Sequence, residues 1–89
     1  MTRREVVIRN RLGMHARAAA RFVRTASTFA STIHVARGKR QTDGKSIMGL
    51  LLLSAPRGAE IVIVADGPDE AAAVDALGQL VTRGFDEEG

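Results

Sequence analysis

Eighty-nine residues with a net charge of +3, two histidines and no cysteine suit a single domain with one core, and exclude a disulfide framework, thiolate metal ligation and a histidine-only metal cluster. A chain this short cannot enclose a catalytic cavity as well as a core, so any chemistry belongs at the surface. Aromatic content of 3%, all phenylalanine, offers no stacking platform for single-stranded nucleic acid.

The charge is polarised along the chain. Residues 1–45 carry eleven Arg or Lys against Glu5 and Asp43, whereas residues 46–89 carry Arg57 and Arg83 against eight acids. Such a field gathers anions or acidic protein surfaces on one side of a fold. The basic start, MTRREVVIRN, has no long apolar stretch or cleavage signal behind it, and no other run is long enough to cross a bilayer, so a cytoplasmic protein is expected.

In chain order, REVVIRN is β-branched at Val6, Val7 and Ile8 and reads as a first strand. From Ala16 the period becomes helical: Ala19, Phe22, Val23 and Ala26 share one face to about Thr28, and Arg17, Arg21 and Arg24 occupy the other. Ile33 and Val35 then alternate with Thr32 and His34, and Gly38-Lys39 turns a hairpin back through Arg40 to Thr42. His34 reads as a solvated strand residue and receives no role.

Ser46 precedes IMGLLLL, read as a short helix because serine is a good N-cap and leucine and methionine are helix formers. Ile47, Leu50 and Leu53 are expected to point inward, which leaves Met48, Leu51 and Leu52 as a surplus apolar surface of the kind that docks partners. AEIVIVAD is apolar almost throughout and reads as a central strand. GPDE opens the last helix, with Val74, Leu77, Leu80 and Val81 as its buried stripe and Gly84 near its end; DEEG reads as a frayed acidic tail. The order β-α-β-β-α-β-α describes a two-layer α+β domain over residues 1–89, with helices on one face of a mostly antiparallel sheet.

His15 falls at the start of the first helix, where the unpaired N–H groups of the first turn make an anion site. Arg17 sits where a cation opposes the helix dipole, a placement that an anionic ligand would offset. A positive surround favours a neutral, nucleophilic ring. Neutral imidazole attacking phosphorus would give phosphohistidine, its oxygens held by the amides and Arg17. No neighbouring carboxylate for general-base work and no glycine-rich nucleotide loop are apparent. Taken alone, the same residues also fit an imperfect N-cap followed by a solvated face, and the residues leave both readings open.

LGMHARAAARFV closely resembles the active-site segment of the HPr family, the histidine-containing phosphocarriers of the bacterial phosphoenolpyruvate-dependent phosphotransferase system. GKSIMGLLLL resembles the second signature of that family, and the likeness extends over essentially the whole chain. It implies an open-faced β-sandwich, a four-stranded antiparallel sheet in the order 1-4-2-3 covered on one face by three helices. It implies a carrier, not an autonomous enzyme, and no cofactor is expected; from composition and hydropathy neither membrane insertion nor nucleic-acid binding is expected, and the chain is expected to be a monomer.

By the same resemblance, His15 takes a phosphoryl group on Nδ1 from enzyme I, Arg17 steadies it, and an enzyme IIA domain receives it. Arg21, Arg24, Met48, Gly49, Leu51 and Leu52 would contact both partners. KSIMG resembles the site of the HPr kinase/phosphorylase, so Ser46 is expected to serve as N-cap and as regulatory phosphorylation site. Many family members have proline at position 18; Ala18 here leans toward the nitrogen-regulatory branch, with sugar uptake the other output. A binding module without carrier function is the alternative of a different class, and the intact His15 and Arg17 weigh against it.

Overall fold

The computed structural model describes residues 1–87. Its elements are β1 (Thr2–Val7), α1 (Ala16–Ala26), β2 (Thr32–Arg37), β3 (Arg40–Asp43), α2 (Ile47–Leu52), β4 (Glu60–Asp66) and α3 (Glu70–Thr82), followed by a 3-10 turn at Gly84–Asp86. The strands form one antiparallel sheet in the order β1-β4-β2-β3. That order, the three helices and the succession of elements are those expected.

Each strand alternates between two environments, and among the described residues only one face of the sheet is covered. Ile61, Ile63 and Ala65 of β4 pack under the helices beside Ile33 and Val35 of β2 and Val6 of β1. Val62 and Val64 lie on the open face with Arg3, Glu5 and His34, and the lateral strands keep both of them half-buried. β4 is therefore apolar on both faces because it is central, although one of its faces has no covering layer. From above, α1 contributes Ala18, Ala19, Phe22 and Ala26, and α3 contributes the expected Val74, Leu77, Leu80 and Val81 with Ala73. Removing the Phe22 ring from water contributes on the order of 2–3 kcal/mol.

Three details differ from the sequence reading. β1 runs over Thr2–Val7 and not to Asn10, because its pairing with β4 ends at Val7 opposite Glu60, where β4 begins. α1 ends at Ala26, two residues early, because the chain tightens: Thr28 N–H donates to Thr25 O and Phe29 N–H to Ala26 O, both over three residues. In α2 the buried stripe is centred on Leu50, flanked by Leu53. Ile47, expected inside, is 42% exposed, and Leu51, expected outside, packs partly against the core. A six-residue helix has room for one inward residue per turn, and Ile47 at its first position lies at the edge of that arc.

Asp69 flanks the start of α3 without capping it through its side chain. Its carboxylate instead accepts from the Ser31 hydroxyl at 2.5 Å and from the Ala30 and Ser31 amides at 2.9 and 3.0 Å. These bonds, the Ser31 hydroxyl first, hold its carboxyl below the ordinary aspartate range. The Met1 amine and then the Thr2 hydroxyl lower Glu70 from 4.5 to about 2. Depressed acids stabilise the fold above their unfolded values and lose that contribution as they protonate. Glu70→Gln should therefore be less stable than the parent at pH 6, with the two urea midpoints converging between pH 4.5 and about 2; a gap that persists at pH 2 contradicts the assignment.

Candidate functional site

The residues that lead into α1 are fixed by backbone contacts to the segment that leads into β4. Gly13 has φ +69, and a Cβ there would lie 2.5 Å from Ala55 O. A side chain at this position is excluded by both conformation and space. The next residue, Met14, donates its N–H to Ala55 O at 2.9 Å and is itself buried. His15 follows as the N-cap of α1, in extended conformation at φ −81° and ψ 179°.

As N-cap, the ring turns Nδ1 toward the helix: the Arg17 N–H donates to it at 3.3 Å. Ala19 is the residue whose N–H closes onto His15 O, at 2.8 Å. The amides of residues 16–18 thus precede the first bond of the helical ladder and face the end of the helix where Nδ1 lies. The Arg17 side chain is exposed beside them.

The other ring nitrogen meets something the sequence reading did not anticipate. Glu87 Oε2 lies 2.7 Å from Nε2 of His15, and side-chain exposures of 25% and 12% for ring and carboxylate shield the pair in part from solvent. The expectation of a wholly cationic surround without a carboxylate is thereby corrected, and so is that of a frayed tail up to Glu87; Glu88 and Gly89 lie outside the described residues. Arg83 and Gly84 end α3, Phe85 is fully buried, and Gly84, Phe85 and Asp86 all have positive φ, at 69°, 58° and 61°. The sequence signal for this return was available: glycine just past a helix end followed by an apolar residue is the pattern of a left-handed cap folding back onto the core.

The predicted arginine stripe divides. Arg24 is exposed, but Arg21 is half-buried and its Nη1 donates to Phe85 O at 2.5 Å, so it anchors the C-terminal turn instead of projecting freely. Gly49 likewise faces inward, because a Cβ there would collide with Thr42 Oγ1; it permits α2 to approach β3. Met48 and Leu52 of α2 are exposed, as expected, and so are Ile47 and, in the loop before His15, Leu12 at 63% exposure. Ser46 Oγ accepts the Gly49 N–H at 3.0 Å, the N-cap geometry expected of it.

A family profile described as "PTS HPr component phosphorylation site" matches residues 2–83. The chain belongs to the HPr family. It is 44% identical over 87 residues to the phosphocarrier protein HPr of Cupriavidus necator, with 98% of each chain covered. The HPr of Neisseria meningitidis serogroup A matches at the same identity and coverage. Among solved structures, an HPr from Thermoanaerobacter tengcongensis superposes with a TM-score of 0.95 at 40% identity over 100% of both chains. An HPr from Bacillus anthracis superposes at 0.87 with 32% identity, covering 90% of this chain and 95% of that one. The chain is accordingly a phosphocarrier-family protein of the phosphotransferase system.

Within this HPr-family site, Gly13 is the residue that fixes where His15 begins the helix. Gly13→Ala should lower the unfolding free energy by roughly 2–4 kcal/mol through left-handed strain and the clash with the Ala55 carbonyl. Urea denaturation should show a reduced midpoint with an unchanged slope; a parental midpoint would show that the turn relaxes freely.

Proposed function

We propose that His15 is the phosphoryl acceptor of this carrier, taking the group on Nδ1 from phosphorylated enzyme I and passing it to an enzyme IIA domain in the cytoplasm. The observation that carries the reading is the placement of Nδ1 at the N-terminus of α1, 3.3 Å from the Arg17 amide. A phosphoryl group bonded there would lie against the amides of the first turn, with the exposed Arg17 in that same turn.

The neutral ring attacks with its Nδ1 lone pair, and the bond from phosphorus to the donor breaks as the new one forms. Charge accumulates on the three peripheral oxygens of a loose transition state, where preorganised amides and a guanidinium act most strongly. Because the carrier offers the phosphoryl group at a surface and not in a pocket, donor and acceptor can approach the same face in turn. The carrier acts as a monomer in this reading. The exposed Leu12, Ile47, Met48 and Leu52 supply apolar contact to the partners, and Arg24 adds attraction to acidic partners that raises the association rate.

Ser46 is the regulatory site in this reading. Its Oγ caps α2 and lies within the docking surface, so phosphate there would be tolerated by the helix and would repel acidic partners. Ala18 is fully buried as the third residue of α1 and keeps the helix without the fixed φ of proline. It favours the nitrogen-regulatory branch over sugar uptake, and assays of transfer to the two kinds of enzyme IIA decide between them.

Incubation with enzyme I of the same organism and phosphoenolpyruvate should add one acid-labile phosphate by intact mass, absent from His15→Ala. Arg17→Ala should be phosphorylated at the same residue about 10- to 100-fold more slowly. An unmodified parent protein in the presence of active enzyme I would overturn the carrier reading. Ser46→Asp should retain its cap and melt close to the parent, while its phosphorylation by enzyme I slows about 10-fold at low salt; a rate equal to the parent's would remove Ser46 from the docking surface.

A further inference from the structure

The loop before His15 contains a side chain that core packing does not explain. Asn10 is 2% exposed, and its Oδ1 has no hydrogen-bond partner among the described residues. Burying an amide with an unpaired acceptor is destabilising. The two bonds made by its Nδ2 are what the position gains: one to Gly13 O at 2.7 Å, the other to Glu87 Oε1 at 2.6 Å. Since Glu87 Oε2 meets Nε2 of His15 at 2.7 Å, amide, carboxylate and imidazole form one chain of contacts.

A carboxylate only accepts, so the ring nitrogen it faces carries the hydrogen. Nε2 is then the protonated nitrogen, and Nδ1 keeps its lone pair toward the amides of α1. The backbone adopts unfavourable conformations to bring Glu87 there. Phe85 and Asp86, neither of them glycine, sit at φ 58° and 61°, held by burial of the Phe85 ring, by Arg21 on Phe85 O and by Arg83 on Asp86 at 2.9 Å.

We propose that Asn10 is a positioning residue of the phosphoacceptor. By fixing Glu87 against Nε2, it holds His15 in the tautomer with a free Nδ1 and stabilises the ring once Nδ1 carries phosphorus. The proposal rests on the carrier reading of His15. In the transfer step the Nδ1 lone pair forms the new N–P bond, the electron pair of the old bond leaves with the donor, and the Nε2 proton stays in place. The phosphorylated ring therefore gains a positive charge, and Glu87 faces it across 2.7 Å. Asn10 touches neither phosphorus nor the ring; it acts through Glu87.

The test combines two measurements on Asn10→Ala, Glu87→Ala and the double variant. Long-range proton–nitrogen NMR at neutral pH reads which ring nitrogen of His15 is protonated and needs no phosphate. The parent should show a protonated Nε2 with a downfield N–H, and both single variants should lose that downfield position. After phosphorylation, the half-life of the phosphohistidine should fall roughly 10-fold in either variant, the order set by a charge-assisted hydrogen bond. The double variant should be no worse than Glu87→Ala, because Asn10 works through that carboxylate.

Asn10→Ala with parental ring signals and half-life would overturn the proposal, as would additive losses in the double variant. Should Asn10→Ala fail to fold, Glu87→Ala decides: parental signals there remove the carboxylate on which the argument depends. If the parent protein takes no phosphate, the carrier reading falls, and the NMR comparison still judges the role of Asn10 in fixing the ring.

Discussion

The His15 end of the molecule depends on one close approach of two backbone segments. Gly13 and Met14 press against Ala55 and Pro56, with the Met14 amide bonded to Ala55 O. Beyond it, Ile8 N–H donates to Ala59 O and Gly58 N–H to Ile8 O, so the exit of β1 and the entry to β4 are stitched together. β4 is one of the two inner strands, and a ring mounted on this stitched loop is referenced to the interior of the sheet. Only a residue without a side chain permits the approach. The position of the His15 backbone is thus fixed by main-chain geometry, before its ring makes any contact.

With the ring so placed, its two nitrogens face opposite kinds of surroundings. Nδ1 looks toward amide donors and the exposed Arg17, a setting for negative charge. Nε2 looks toward the Glu87 carboxylate, a setting for an N–H and for a ring that becomes cationic. The polarised sequence makes this possible, since the basic first half supplies α1 and the acidic second half supplies the tail that returns to it. Arg21 joins the two halves by leaving the basic stripe to hold the Phe85 carbonyl.

Much of the architecture could be read from local pattern. Period-two alternation gave the strands, and period-3.6 stripes gave α1 and α3, because in these elements burial alone decides which residues face the core. Ser46 and His15 could be placed as caps because a cap is a local event, settled within three residues. The sheet order came from family resemblance, as strand order depends on contacts far apart in sequence. The Glu87 contact spans 72 residues and follows three successive left-handed residues, a conformation that no periodicity encodes. α2 was misread at Ile47 and Leu51 because six residues define too small an arc for their spacing to fix its rotation. Family resemblance counts Gly49 among the partner contacts, and only the position of Thr42 shows that it faces inward.

A carrier has a requirement that an enzyme does not share: the bond it forms must be stable enough to survive diffusion and weak enough to be given up. On the role proposed for His15, both demands fall on the same ring. Donors at Nδ1 would favour the phosphoryl oxygens in the transition state and in the phosphorylated product, so alone they would retain the group as well as attract it. A surface site moderates this, because an exposed Arg17 is solvated and can turn toward a partner as readily as toward the phosphate. The buried side of the ring works differently. Glu87 is largely shielded from solvent and tied to Asn10, so its influence on the ring is steady whichever partner is docked. On that proposal the outer nitrogen is tuned by each partner in turn, while the inner one sets a common baseline for donor and acceptor.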